Sequence, residues 1–391
     1  RAMIFRDFLQ WVRTAPASER AEATSALARA YLYSDLSADD LAAAEGAMLM
    51  LLDDPSPLVR RALADALAAS QSAPPAIVIA LAADQPQIAA PVYALSPLFV
   101  DADLVDAVAT GGAAVQEAIA SRAALPCSVA AAIAEVGTAE SCLVLVENPT
   151  ADIAPLSIDR IVERFGYLAA VREALLLRDD LPAATRQTLV IKLSETLAGF
   201  VAGRAWLDVD HALRIARDAC EKATVTIAAD TPESELRALI RHLCAGGQLT
   251  AGLILRALLS GNIALFEEAL AELTDMPVAR VSGLIHDRGS VGFRALFEKA
   301  QLPLSTYPAF KEAIEALREG ILHEPGGATR LKRRMIERVL TRCEDADVGD
   351  LAPLLTLLRR FATEAAREEA RLFCDELVAD DFAAEDHSVA A

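Results

Sequence analysis

The sequence predicts an all-α protein: an α-α superhelix, or solenoid, of stacked helix pairs, followed by a second helical region. Three observations carry this. Hydrophobic residues make up 54% of the chain but aromatics only 5%, with much of the content in Ala, Leu and Val; small apolar side chains let helices approach closely. The stretch Leu51 to Leu67 reads as a helix end, an Asp-Pro turn and an amphipathic helix. In it Ser56 is placed to cap, Pro57 suits the first helical position, and Val59, Leu63, Ala66 and Leu67 share one face. The turn then recurs. Asp54-Pro55 is echoed by Gln85-Pro86 and Asn148-Pro149, and Arg122-x-x-Leu125-Pro126 by Arg178-x-x-Leu181-Pro182. A unit of this kind cannot bury its apolar face alone and must stack on neighbours.

Taken in order, Ile4, Phe5, Phe8, Leu9, Trp11 and Val12 line one helical face, expected to cap the first repeat, with an exposed docking face as the alternative. Arg1-Ala2 precede Met3, which is expected to be the natural start. Ser37-Ala38-Asp39-Asp40 resembles a capping box opening the helix that runs into Leu52. Cys142 to Val146 is β-branched enough to suggest a strand. Its place just before the Asn148-Pro149 turn predicts a helix instead. The solenoid is expected over 1–228. A second region of short helices should fill 229–378, opening at Thr231-Pro232-Glu233 and carrying a hinge at Glu324-Pro325-Gly326-Gly327. Residues 379–391 are expected to form an acidic, disordered tail.

The net charge is −19. From Ala62 to Asp159 the sole basic residue is Arg122, among eleven acids. Binding nucleic acid needs Lys and Arg to replace phosphate counterions, so a nucleic-acid partner is not expected. No apolar run reaches the ~18–20 residues of a membrane span, and a secretory leader is not expected. The six cysteines show no CxxC spacing and read as reduced thiols of a cytoplasmic protein.

No catalytic, cofactor-binding or metal-ligating residues emerge. The five histidines are scattered, and His242 and Cys244 point to different faces of a helix. Asp208-Val209-Asp210-His211 reads as a helix start with stabilising acids. Gly246-Gly247 and Gly326-Gly327 sit in no phosphate-loop pattern. Asp54, Pro55, Arg60, Arg122 and Arg178 stand out as structural repeat residues. A guanidinium at 122 or 178 can bridge helix-end carbonyls and an acid between repeats, or serve as a ligand for a carboxylate or phosphate. Arg330, Arg334, Arg338 and Arg342 recur every four residues and are expected to line one side of a helix. Like charges so spaced repel. Their counterpart is either the acids of the last helix (Glu364, Glu368, Glu369, Asp375, Glu376) or an external acidic partner or nucleic acid.

Leu51 to Leu67 also resembles the second half of a HEAT-type repeat. Leu52 to Arg60, Ser96-Pro97-Leu98, Ala118 to Arg122, Leu145 to Pro149, Arg178 to Pro182 and Leu265 to Ala271 together resemble an uncharacterised bacterial family, domain of unknown function 2336, over about Ala21 to Leu302. The resemblance implies a HEAT-like helical protein and brings no activity or cofactor. The expected function is a non-catalytic, protein-binding scaffold or regulatory adaptor using a helical-repeat groove. Two alternatives stand beside it: a ligand-sensing regulator with a small-molecule pocket between the two helical regions, and a helical-repeat enzyme acting on nucleic acid. A protein partner is expected, and self-association is compatible with the sequence.

Overall fold

A computed structural model describes residues 10–287, 290–319, 329–344 and 351–389, with side chains to 376. The helices in chain order are α1 (Ala17–Tyr33), α2 (Ala38–Leu51), α3 (Pro57–Leu67), α4 (Pro75–Ala82), α5 (Pro86–Leu95), α6 (Asp101–Thr110) and α7 (Ala113–Ala120). They continue with α8 (Cys127–Val136), α9 (Ala139–Glu147), α10 (Pro155–Phe165), α11 (Ala169–Leu176), α12 (Ala183–Gly203), α13 (Val209–Asp230) and α14 (Glu233–Ala245). The remainder are α15 (Ala251–Leu259), α16 (Ile263–Thr274), α17 (Val278–His286), α18 (Ser290–Lys299), α19 (Tyr307–Arg318), α20 (Arg333–Glu344) and α21 (Ala352–Val389). A single 3-10 turn, Leu304–Thr306, precedes α19. No strand occurs among the described residues, and the fold is all-α.

The chain divides into two compact units, Arg1–Leu181 and Pro182–Ala391. The change of sequence texture near 228 falls instead inside α13, because α12 and α13 pack on each other along their length as one hairpin.

In the first unit alternate helices stack. Helices α1, α3, α5, α7, α9 and α11 pack successively, and α6, α8 and α10 form a parallel ladder. This is the connectivity of stacked helix pairs. The face expected of α3 is buried: Val59, Leu63 and Leu67 are fully enclosed, with Ala64 beside them and Ala66 at the margin. Cys142, Leu145 and Val146 are buried on α9, so the β-branched segment is helical, started by Thr138 accepting from the Ser141 N–H at 3.1 Å. Ser37 caps α2 as expected, accepting from the Asp40 N–H. Ser56 does not cap with its side chain. Its N–H instead donates to Asp54 Oδ1 at 2.8 Å, so the aspartate organises the turn and Pro57 starts the helix. The Ile4–Leu9 part of the expected N-terminal face lies outside the described residues.

In the second unit α15 is the central helix. It packs on α13, α16 and α19, and Leu253 to Leu259 are all buried. Phe266, Phe297, Phe310 and Phe361 fill the space around it. Helix α14 starts at Glu233 rather than Pro232, because Thr231 ends α13 with its hydroxyl bonded back to the Ile227 carbonyl. Helix α21 continues past 379, where a disordered tail was expected, to Val389; Ala383, Ala384 and Glu385 favour helix. The expected hinge at 324–327 lies outside the described residues.

Candidate functional site

The repeat residues found in the sequence converge on the turns. Arg20 grips both carboxylate oxygens of Asp54 at 2.8 Å, and Arg60 donates to the Asp54 carbonyl at 2.6 Å and grips Asp84. Pro55 completes the turn between Asp54 and α3. Burial pushes the Asp54 and Asp84 carboxyls up. The arginine forks and the Ser56 and Gln85 N–H groups outweigh this and hold both below the usual carboxylate range. Asn148 does the same work without charge, donating to the Ala120 and Arg122 carbonyls while accepting from the Thr150 N–H.

Arg122 and Arg178 are helix-end clamps. Arg122 donates to the Tyr93 carbonyl and, at 2.8 Å, to that of Ser96, at the C-terminus of α5. Arg178 reaches the Val146 carbonyl at the end of α9 and holds Asp180 by two bonds of 2.7 and 2.8 Å. The sequence reading missed two more. Arg164 caps the end of α8 through Ala134 and Gly137, and Arg318 caps α17 through Ile285 and Asp287. In each case a cation meets the negative end of a helix 26 to 33 residues upstream.

Arg330 precedes α20 instead of lying on it, so the expected four-membered stripe keeps Arg334, Arg338 and Arg342 on the helix. Arg330 approaches Glu368 at 3.8 Å, and the neighbouring Arg333 pairs with Glu337 at 2.7 Å and Glu369 at 3.0 Å. Arg338 pairs with Glu319 at 2.5 Å. That bond, with the nearby charges of Arg338 and Arg342, lowers the Glu319 pKa.

The most unusual chemistry lies at Arg256, which the sequence reading passed over. It is the single charge in the apolar helix Ala251–Leu259 and is 2% exposed. Burying an unpaired cation is very costly. Here Nη1 and Nη2 hold Glu364 of α21 by two 2.8 Å bonds, and the guanidinium lies 4.6 Å over the ring of Phe361. Nε forms no hydrogen bond and stands 3.9 Å from Glu221 of α13. Burial raises the Glu221 pKa against the pull of Arg256. A lone Arg in a Leu/Ile/Ala helix is itself the signal that could have found this site, since local patterning breaks there.

Arg256 forms part of the wall of a cleft of about 610 Å³ bounded by α13, α15 and α21. Lys222 Nζ pairs there with Glu368 at 3.1 Å, and Arg360 pairs with Asp218. A second cavity, about 270 Å³, lies between α12, α13 and the Gly247 loop. The buried Gln187 is part of its lining, and its Oε1 accepts no hydrogen bond. The far end of the α12–α13 hairpin is exposed and apolar. Phe200 and Trp206 meet edge to face at 5.7 Å, with the Arg204 guanidinium over both rings. Leu197, Val209, Leu213 and Ile215 are each about half exposed beside them.

No group of His, Cys, Asp and Glu among the described residues is arranged to hold a metal, and no described helix is long and apolar enough to cross a membrane. No curated protein and no solved structure matches the chain. Residues 88–349 match an uncharacterised protein family conserved in bacteria. The match starts later than Ala21 and extends beyond Leu302, so the Leu52–Arg60 turn lies outside it. Spanning two thirds of the sequence, it shows that the chain belongs to this family, domain of unknown function 2336.

Proposed function

We propose that the protein is a non-catalytic adaptor of the cytoplasm that binds another protein through the end of the α12–α13 hairpin. The observation that carries this reading is the exposed cluster of Phe200, Trp206, Leu207, Val209, Leu213 and Ile215, with Arg204 stacked on its two aromatic rings. Large apolar groups so grouped leave water only when something covers them, and Trp, aromatic and Arg side chains dominate binding energy at interfaces. The first unit fits the same reading, since its Arg122, Arg164 and Arg178 are engaged on its own helix ends. With a net charge of −19, a partner helix with an apolar face and basic flanks is the best match.

The test compares proteins captured from the native cell by the wild type and by Phe200→Asp with Leu213→Asp. Both positions are about half exposed, so helicity should be kept and melting should fall little, while one captured partner disappears. The same captured set with both forms would sink the reading.

A further inference from the structure

We propose that the cleft between α13, α15 and α21 binds a phosphorylated small molecule, with the phosphate held by Arg367 and Arg371. This goes beyond the adaptor reading and does not depend on it.

In a chain of net charge −19, this cleft collects Lys222, Arg256, Arg359, Arg360, Arg367 and Arg371 against Asp218, Glu364 and Glu368. The three carboxylates are already matched: Glu364 by Arg256, Glu368 by Lys222 and Asp218 by Arg360. Arg359 leans on Glu344 at 2.7 Å. Arg367 and Arg371 remain. Both are exposed, and neither has an ion pair or hydrogen bond among the described residues. They lie four residues apart on α21, neighbours on one helix face that repel each other.

Two cations without an ion pair among the described residues, at this spacing, suit a phosphomonoester, which carries about −1.5 to −2 at neutral pH. Guanidinium forks match phosphate oxygens in pairs, where a monocarboxylate would leave one cation unanswered. The cleft has room for more than the phosphate: about 610 Å³ lies within the ~300–1,000 Å³ of small-molecule sites. Thr356 and Thr363 donate their hydroxyl protons to the Ala352 and Arg359 carbonyls at 2.8 and 2.9 Å. Toward the cleft they therefore offer lone pairs, acceptors for a sugar hydroxyl or an amine. The walls are fixed before a ligand arrives, because Arg256–Glu364 ties α15 to α21 and Lys222–Glu368 ties α13 to α21. A preformed site loses little in ordering itself on binding.

Isothermal titration of the full chain at constant ionic strength tests this, with inorganic phosphate, pyrophosphate, ADP and adenosine as probes. Saturable one-to-one binding of pyrophosphate or ADP below about 1 mM is expected, with none of adenosine. Arg367→Glu with Arg371→Glu should weaken it by about tenfold or more, at unchanged helicity because both side chains are exposed. Two results would each overturn the proposal: no saturable binding of phosphate, pyrophosphate or ADP, or binding undiminished in the double variant.

Discussion

Arg122, Arg164, Arg178 and Arg318 share one task. Each brings a permanent cation to backbone carbonyls that a helix end leaves without partners. At Arg122 the cost is visible, since burial lowers its pKa with no acid beside it to compensate. Bonds from a charged donor contribute ~1.5–3 kcal/mol each, so Arg122→Met, which removes two, should cost about 3–6 kcal/mol in urea unfolding. The exposed pair Lys311–Glu315 is the contrast: Lys311→Ala should cost under about 0.5 kcal/mol. Equal losses in the two would mean that the clamp contributes no more than a surface pair. Asp54 and Asp84 give a pH signature. Both folded-state pKa values are depressed, so below about pH 4 the unfolded chain binds more protons than the native one. Their contribution is complete above that pH and is lost as pH falls through the folded values. Asp54→Asn should therefore be less stable than wild type at pH 7, with the gap narrowing by pH 3. A constant gap would remove the aspartate from acid unfolding.

At the scale of elements, α3 illustrates how local sequence and packing agree. Asp54 shapes the turn, Pro57 starts the helix, and Leu63 is enclosed on all sides. Leu63→Ala should cost ~2–5 kcal/mol, as at other buried leucines; a loss below about 1 kcal/mol would mean that the stack collapses around the gap. Helix α20 illustrates a pattern that packing edits. Its arginines face acids of the same unit, Arg333 on Glu369 and Arg338 on Glu319. Arg334→Glu with Arg338→Glu should lower the melting temperature by about 2–4 °C, equivalent to ~1 kcal/mol in a unit of this size. Unchanged melting with weaker partner capture would transfer the stripe to an external surface.

Across the whole molecule the acidic balance decides which large partners can approach. An extended duplex carries a phosphate charge about every 1.7 Å. The cleft can answer a compact dianion but not such a polymer, while the Ala62–Asp159 stretch repels it with eleven acids against Arg122. Duplex DNA should bind no better than ~10⁻⁴–10⁻⁶ M at physiological salt. A gel shift at submicromolar protein would contradict this.

The sequence by itself determined the helices and the stacking of the first unit, because both follow from short-range signals. A 3.6-residue apolar period, a Pro at a first helical position and an Asp or Asn at a turn act within a few residues. Arg122 and Arg178 were legible for the same reason, as equivalent positions in a repeated turn, although their acceptors could not be named. Tertiary structure decided the rest. Glu364 lies 108 residues from Arg256, and Lys222 lies 146 residues from Glu368. No local pattern links groups so distant; they meet because α21 closes the core around α15. The same closure makes the α12–α13 hairpin part of the second unit and turns a scatter of arginines into a cleft. Local periodicity specifies which face of each helix is apolar, and only the packed core specifies which helices share that face.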